Sequence, residues 1–243
     1  MKKLSMLKLV VIAAMAMFVA MSGFQGSAFA LSAESPKKQA NVGGHSYSYY
    51  STIHQYGSST WAQGTVEVST GLAPSMGIDA KLYTSKGKLV VSSGWQFSNY
   101  NSSYFTITSP ILVGEGTHYA KSQMKFYKGN SYSTYTSNAT PILQSYSLLT
   151  AMPEEAYAVN ENGLTYGTDF YAESLEDSPD LVAVIGTNGV EGYVYAKELY
   201  PELTTFDEVT AYINSGQQSY TVPVYAEDGV TIVDSFTIGT KES

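Results

Sequence analysis

Residues 119–127 read YAKSQMKFY. In an extended chain Ala120, Ser122, Met124 and Phe126 fall on one side, and Lys121, Gln123, Lys125 and Tyr127 on the other. One apolar row repeating every second residue is the mark of a half-buried β-strand. The alternation recurs upstream. In TVEVS (65–69) Val66 and Val68 oppose Thr65, Glu67 and Ser69. In GIDAKLYT (77–84) Ile78, Ala80 and Leu82 oppose Asp79, Lys81 and Tyr83. In YFTIT (104–108) Phe105 and Ile107 oppose Tyr104, Thr106 and Thr108. Lys86-Gly87 and Gly129-Asn130 stand where hairpins need turns, since glycine accepts positive φ at little cost. The pattern predicts an antiparallel β-sandwich-like module over 44–141, with one polar face, and no helix in it.

Downstream the pattern changes character. Asn162-Gly163, Asn188-Gly189 and Asp228-Gly229 each separate apolar or β-branched segments, which is a strong hairpin signal. Thr205 followed by Glu208 forms a capping box before VTAYIN, and Gly216 supplies a stop, so one helix is expected there. Asp234 stands in phase with Val230, Ile232, Phe236 and Ile238, which points to a β-bulge or a partly exposed end position. The fold class expected is therefore mainly β: a sandwich-like module, then a small hairpin-rich α+β module over 153–243.

Charge divides the chain in the same place. Residues 31–140 carry eight lysines and four acids, a net of +4, whereas 141–243 carry two lysines and 17 acids, a net of −15. Such a change suggests two modules joined by a linker at 142–152. The polar stretch LSAESPKKQANVG (31–43) reads as a flexible arm. Ahead of it Lys2, Lys3 and Lys8 precede an apolar run, Leu9–Met21, and then Ala28-Phe29-Ala30. That is the layout of a secretion signal over 1–30, with a core too short to span a membrane. The mature protein is then expected to be secreted or held non-covalently at the cell surface, with no transmembrane anchor after cleavage. A Gram-positive source fits an exported chain without cysteine.

Several chemistries are excluded by composition. All 13 basic residues are lysines and there is no cysteine among the 243 residues. Disulfides, thiol catalysis, thiolate metal sites and arginine forks on phosphate are thereby ruled out, and no nucleic-acid partner or cofactor is expected. His45, His54 and His118 match no zinc motif, and no Gly-x-Ser-x-Gly elbow or glycine-rich phosphate loop occurs. Ser85 and Lys88 have Ser-x-x-Lys spacing but lie in a hairpin turn, where that pair cannot share a helix face.

What remains is surface chemistry. With 21 tyrosines, aromatic side chains on polar strands suit sugar rings or partner proteins, or else complete cross-strand pairs. Tyr47, Tyr49, Tyr132 and Tyr135, with Lys121 and Lys125, are the candidate contact residues toward an anionic wall polymer, a polysaccharide or a protein partner. The acidic loop ESLEDSPD offers Glu173, Asp177 and Asp180 as a weak calcium candidate, without EF-hand spacing. The reading is a secreted non-catalytic binding protein. Its rivals are a secreted hydrolase using carboxylates of the acidic module and a bacteriocin-like secreted factor.

Two further stretches carry a resemblance. KLYTSKGKLVVSSGWQFSN (81–99) with GTHYAKSQMKFYKGNSYSTYTSNATP (116–141) resembles uncharacterised exported β-rich proteins of Gram-positive bacteria. VNENGLTYGT (159–168), PDLVAVIGTNGVEGYVYAKEL (179–199) and VPVYAEDGVTIVDSFTIG (222–239) resemble an extracellular tail segment also found on sensor-type membrane zinc peptidases. The peptidase part and its zinc motif are absent here. The resemblance implies hairpin-rich extracellular modules, with Gly163, Gly167, Gly189 and Gly192 at turns or bulges and Asp180 as a turn anchor. It supplies no catalytic residue.

Overall fold

The computed structural model describes residues 30–98, 101–144, 147–149, 157–169, 171–201, 203–216 and 219–239. The expected secretion signal lies outside them apart from Ala30. In chain order the first strands are β1 (Ala30–Glu34), β2 (Lys38–Val42), β3 (His45–Tyr56), β4 (Ser59–Val68), β5 (Gly77–Asp79), β6 (Lys81–Thr84), β7 (Leu89–Ser92) and β8 (Gln96–Phe97). There follow β9 (Tyr104–Thr108), β10 (Leu112–Val113), β11 (Thr117–Ala120), β12 (Gln123–Tyr127), β13 (Tyr132–Thr136), β14 (Ile142–Gln144) and β15 (Ser147–Leu149). The remainder comprises β16 (Ala158–Val159), β17 (Thr165–Gly167), β18 (Leu181–Ile185), β19 (Glu191–Tyr195), helices α1 (Ala196–Leu199) and α2 (Phe206–Ser215), β20 (Ser219–Tyr225) and β21 (Ile232–Gly239).

The fold is mainly β, as the alternation predicts. A six-stranded antiparallel sheet is centred on the long β3–β4 hairpin, with β1 and β2 end to end along β3, and β9 and β10 end to end along β4. Facing it is a bent layer. The sheet β13-β12-β5-β8 and the four strands β14-β11-β6-β7 are successive stretches of the same four chain segments. They turn from one sheet into the other at Ala80, at Lys121-Ser122, at Ser93–Trp95 and at Ser137–Pro141. Hydroxyls hold these corners. Ser93 Oγ accepts from Ala80 N at 2.8 Å, Ser137 Oγ from Ser122 N at 3.0 Å and Thr140 Oγ1 from Ala120 N at 2.9 Å. Each also donates to the carbonyl of its own following residue, so the amides of Ala80, Ala120 and Ser122 are satisfied at these bends.

The apolar row of the bent layer packs on the six-stranded sheet. Ile78, Met124 and Phe126 meet Tyr47, Tyr49 and Val66, while Ala80, Leu82, Ala120 and Leu143 meet Ile53 and Ala62. Tyr47 stacks on Phe126 with centroids 4.0 Å apart, a contact that adds about 0.5–1.5 kcal/mol beyond its buried area. Gly64 is required where the layers come closest, because a Cβ there would lie 2.6 Å from Ile78 Cγ2.

The other row of the bent layer is covered as well. Tyr83, Leu89, Tyr119 and Ile142 share one buried cluster with Val182, Val184, Leu199, Tyr200, Phe236 and Ile238. Leu89 of β7 pairs in parallel with Val184 of β18, so a single sheet runs β15-β14-β11-β6-β7-β18-β19-β20-β21 across the expected division. Trp95 and Tyr132 likewise pack with Leu203 and Val209 near α2. The expected linker therefore begins as β14, with Ile142 and Leu143 buried, and continues as β15; residues 145, 146 and 150–152 lie outside the described residues. The expected arm is also replaced by structure. β1 and β2 pair with β3, and Pro36 lies between them.

In the second half the turn signals land as read. Gly163, Gly189 and Gly229 have φ of 79°, 84° and 71°, the left-handed region their turns need. Thr205 and Glu208 make the reciprocal capping box of α2, and Gly216 closes it in the left-handed conformation. The four-residue α1 is additional. Asp234 sits at a bulge: Val224 pairs with Asp234 and Tyr225 with Ile232. Among the described residues no helix is long and apolar enough to cross a membrane.

Candidate functional site

Five of the six candidate contact residues are inside the protein. Tyr47, Tyr49, Tyr132, Lys121 and Lys125 are buried, and Tyr135 is half-buried against Phe126 and Tyr49. Tyr47 and Tyr49 of HSYSYY point between the layers, not outward, and burial pushes both phenols up to about 12. Lys121 Nζ donates to Ala172 O at 3.2 Å. Lys125 Nζ donates to Thr134 Oγ1 at 3.1 Å and lies 4.7 Å over the Trp95 ring. Burial lowers both ammonium groups to about 8. The cause is the second half of the chain, which covers the polar strand face. That face alternates as a solvent-facing one does, yet it forms a polar core. No Lys/Tyr contact surface exists at these positions.

The polar core has a centre. Asp79 and Lys81 are each 1% exposed and Asp169 is 4% exposed. Lys81 Nζ stands 3.4 Å from Asp79 Oδ2 and 3.8 Å from the centroid of Tyr200. Asp79 Oδ1 accepts from Ser92 Oγ at 2.7 Å and Ser93 Oγ at 3.3 Å. Asp169 Oδ2 accepts from the hydroxyls of Tyr83, at 3.2 Å, and Tyr200. Burial lowers the Lys81 ammonium, opposed by the charges of Asp79 and Asp169. Burial, then the Asp169 charge, holds both phenols well above their ordinary value. Asp169 and Tyr200 belong to the acidic half, and Asp79, Lys81 and Tyr83 to the lysine-rich half, so the charge asymmetry of the sequence is met partly by contact between them.

The acidic loop does not gather its oxygens. Glu173 pairs with Lys38 at 2.6 Å, Asp177 Oδ2 accepts from Ser174 Oγ at 2.9 Å, and Asp180 Oδ2 accepts from Thr165 N and Oγ1 at 2.9 and 2.8 Å. The Thr165 contacts hold the Asp180 carboxyl below its ordinary value. Among the described residues no three His, Asp or Glu side chains are grouped to hold a metal ion.

The accessible candidate is the outward face of the six-stranded sheet. Register places Ser32, His54 and Trp61 in one row, Glu34, Thr52, Gln63 and Thr108 in the next, then Tyr50, Thr65 and Thr106, then Gln39, Ser48, Glu67 and Tyr104. Their neighbours in sequence point inward and alternation turns these side chains to the other face, where Thr52 and Thr65 are covered, at 5% and 0% exposure, and Tyr50, His54, Trp61 and Gln63 are half-buried. His54 stacks on Trp61 at 5.3 Å and 17°, and His54 Nε2 lies 2.9 Å from Gln63 Oε1. Gln63 Nε2 donates to Thr65 Oγ1 at 3.3 Å, and Thr65 Oγ1 lies 3.2 Å from Thr106 Oγ1. Lys37 Nζ sits 4.5 Å over the Tyr50 ring and 2.9 Å from Glu67, and Tyr50 donates to Glu67 at 3.2 Å. Tyr56 and Tyr104 are exposed at the margins. Among the described residues none of these side chains enters a buried apolar cluster.

The face combines rings, amides and hydroxyls with little net charge. Rings stack on the apolar faces of flat ligands, and the amides and hydroxyls both donate and accept. The signal for it was present in HSYSYYSTIHQY and STWAQGTVEV, in the row opposite the one chosen. No family model, curated protein or solved structure matches the chain.

Proposed function

We propose that this is an exported, non-catalytic binding protein that holds a neutral, hydroxyl-rich polysaccharide of the cell envelope or its surroundings on the outward face of the six-stranded sheet. The stacked His54–Trp61 pair beside Gln63 carries the reading. A sheet face presents its side chains in regular rows, and a polysaccharide chain offers repeating apolar ring faces edged by hydroxyls. An anionic polymer is disfavoured. Lys81, Lys121 and Lys125 are buried, and Lys37, at the edge of the face, is neutralised by Glu67. The basic charge counted in the sequence is therefore not displayed as a positive surface there.

The test is retention of the mature chain on insoluble cellulose, chitin and peptidoglycan, with Trp61→Ala and His54→Ala. Losing one stacked ring contact of about 0.5–1.5 kcal/mol weakens binding up to about tenfold. Trp61→Ala is expected to lower retention on one of these polymers by that order, with thermal stability little changed and with little dependence on salt. Retention that salt abolishes and Trp61→Ala leaves intact would sink the proposal.

A further inference from the structure

We infer that Lys81 and Asp79 become joined by an amide bond formed within the folded protein, a staple at the corner where one strand leaves one sheet for the other. Asp79 ends β5 and Lys81 begins β6, with Ala80 as the corner between them. Both side chains lie on the same side of the chain, both are 1% exposed, and Nζ stands 3.4 Å from Oδ2. Lys81 Nζ has no hydrogen-bond partner, and its open flank is covered by the Tyr200 ring at 3.8 Å. The carboxyl group is held still by the other oxygen, which takes the Ser92 hydroxyl at 2.7 Å.

The chemistry balances without an added reagent. Burying a separated cation and anion is costly, and desolvation favours passing a proton from the ammonium to the Asp79 carboxylate. The neutral amine then has a lone pair on a nitrogen 3.4 Å from Oδ2, an oxygen bonded to Cγ. Nζ attacks Cγ, a C–N bond forms, and the Ser92 hydroxyl, 2.7 Å from Oδ1, stabilises the charge that develops there. The second amine proton joins the departing Oδ2 hydroxyl, the C–O bond breaks, and one water leaves. Ammonium plus carboxylate thus becomes amide plus water, with no change of oxidation state. Asp169 is the positioning residue. Tyr200 both covers the amine and donates to Asp169 Oδ2, so Asp169 fixes the ring that closes the site. Fixed geometry and excluded water are what such a condensation needs.

The experiment is intact-mass measurement of the mature chain in denaturant, followed by tryptic mapping. The expected result is a mass lower than that of the sequence by one water, with no cleavage after Lys81 and a fragment containing both residues minus water. Lys81→Met and Asp79→Ser should each restore the full calculated mass whether or not they fold, and Asp169→Asn should leave a fraction unreacted. A wild-type chain of full mass overturns the inference. So does water loss with Lys81 still cleaved by trypsin, which would mark a cyclised aspartyl residue instead.

Discussion

Asp169→Asn removes one charge from the centre of the polar core while keeping the side chain's shape. Asp169 is 4% exposed, and its Oδ2 accepts from Tyr83 on the lysine-rich half and from Tyr200 on its own. Before the Lys81–Asp79 amide forms, its charge also favours the fully buried Lys81 ammonium, with Asp79 as the other acidic neighbour. An amide at 169 keeps one acceptor for a phenol but leaves the unreacted cation, the form that Asp169→Asn is expected to accumulate, with a single carboxylate. Removing one partner of such a buried set costs about 3–5 kcal/mol. For a chain of this size each kcal/mol lowers the melting temperature by about 2–4 °C, so a fall of about 6–20 °C is expected. Urea unfolding at pH 7 reads the same loss as a lower midpoint with an unchanged slope. Tyr200→Phe alone should cost about 1.5–3 kcal/mol, and the double variant less than the sum, since both remove one shared bond. By contrast, Glu173→Gln at the exposed pair with Lys38 should cost under about 1 kcal/mol. A loss below about 1 kcal/mol for Asp169→Asn, or strict additivity with Tyr200→Phe, would refute the reasoning.

Two further outcomes follow from the same burial. Lys121 and Lys125 titrate near 8 in the folded chain against an ordinary 10.5, so between those values the unfolded chain holds more protons and stability should rise with pH. Above about 10 the order reverses, because Tyr47 and Tyr49 hold their protons up to about 12 only when folded. Urea midpoints from pH 7 to 11 should therefore peak near pH 10, and a flat or steadily falling profile would contradict this. Millimolar calcium should move the melting temperature no more than sodium at matched ionic strength, since Glu173, Asp177 and Asp180 are each engaged separately. A chelator-reversible rise of several degrees would show otherwise.

Strand rows, turns and the capped helix were legible because each depends on neighbours in sequence. Asn188-Gly189 is a turn whatever surrounds it, and Thr205 with Glu208 caps a helix from within its own first turn. For Asp234 the phase of the strand left a β-bulge or a partly exposed end position, and the structure has the bulge. Which face of a strand meets solvent was not. Lys121, Gln123 and Lys125 alternate with apolar residues as an exposed row does, and only the fold brings Ala172 and Trp95 over them. Tyr47 and Tyr50 are three residues apart, so the chosen tyrosines fell in the buried row and Tyr50 with His54 in the open one. β1 and β2 were missed because short polar strands at a sheet edge bury little and carry weak alternation. The charge change near residue 141 is real, but opposite charges on two halves fit contact between them as well as separation.

The claim that the polar face of the bent layer is closed while the outward face of the six-stranded sheet is open is tested most directly by hydroxyl-radical footprinting of the native protein. Trp61, Tyr56 and Tyr104 should be oxidised readily, while Tyr83, Tyr119, Tyr200 and Trp95 stay protected until global unfolding. Addition of the retaining polysaccharide should then protect Trp61 alone among the two tryptophans' positions of change. Native-state oxidation of Tyr83 and Tyr119 at the rate of Tyr104 would contradict the account, because the polar strand face would then be open to water.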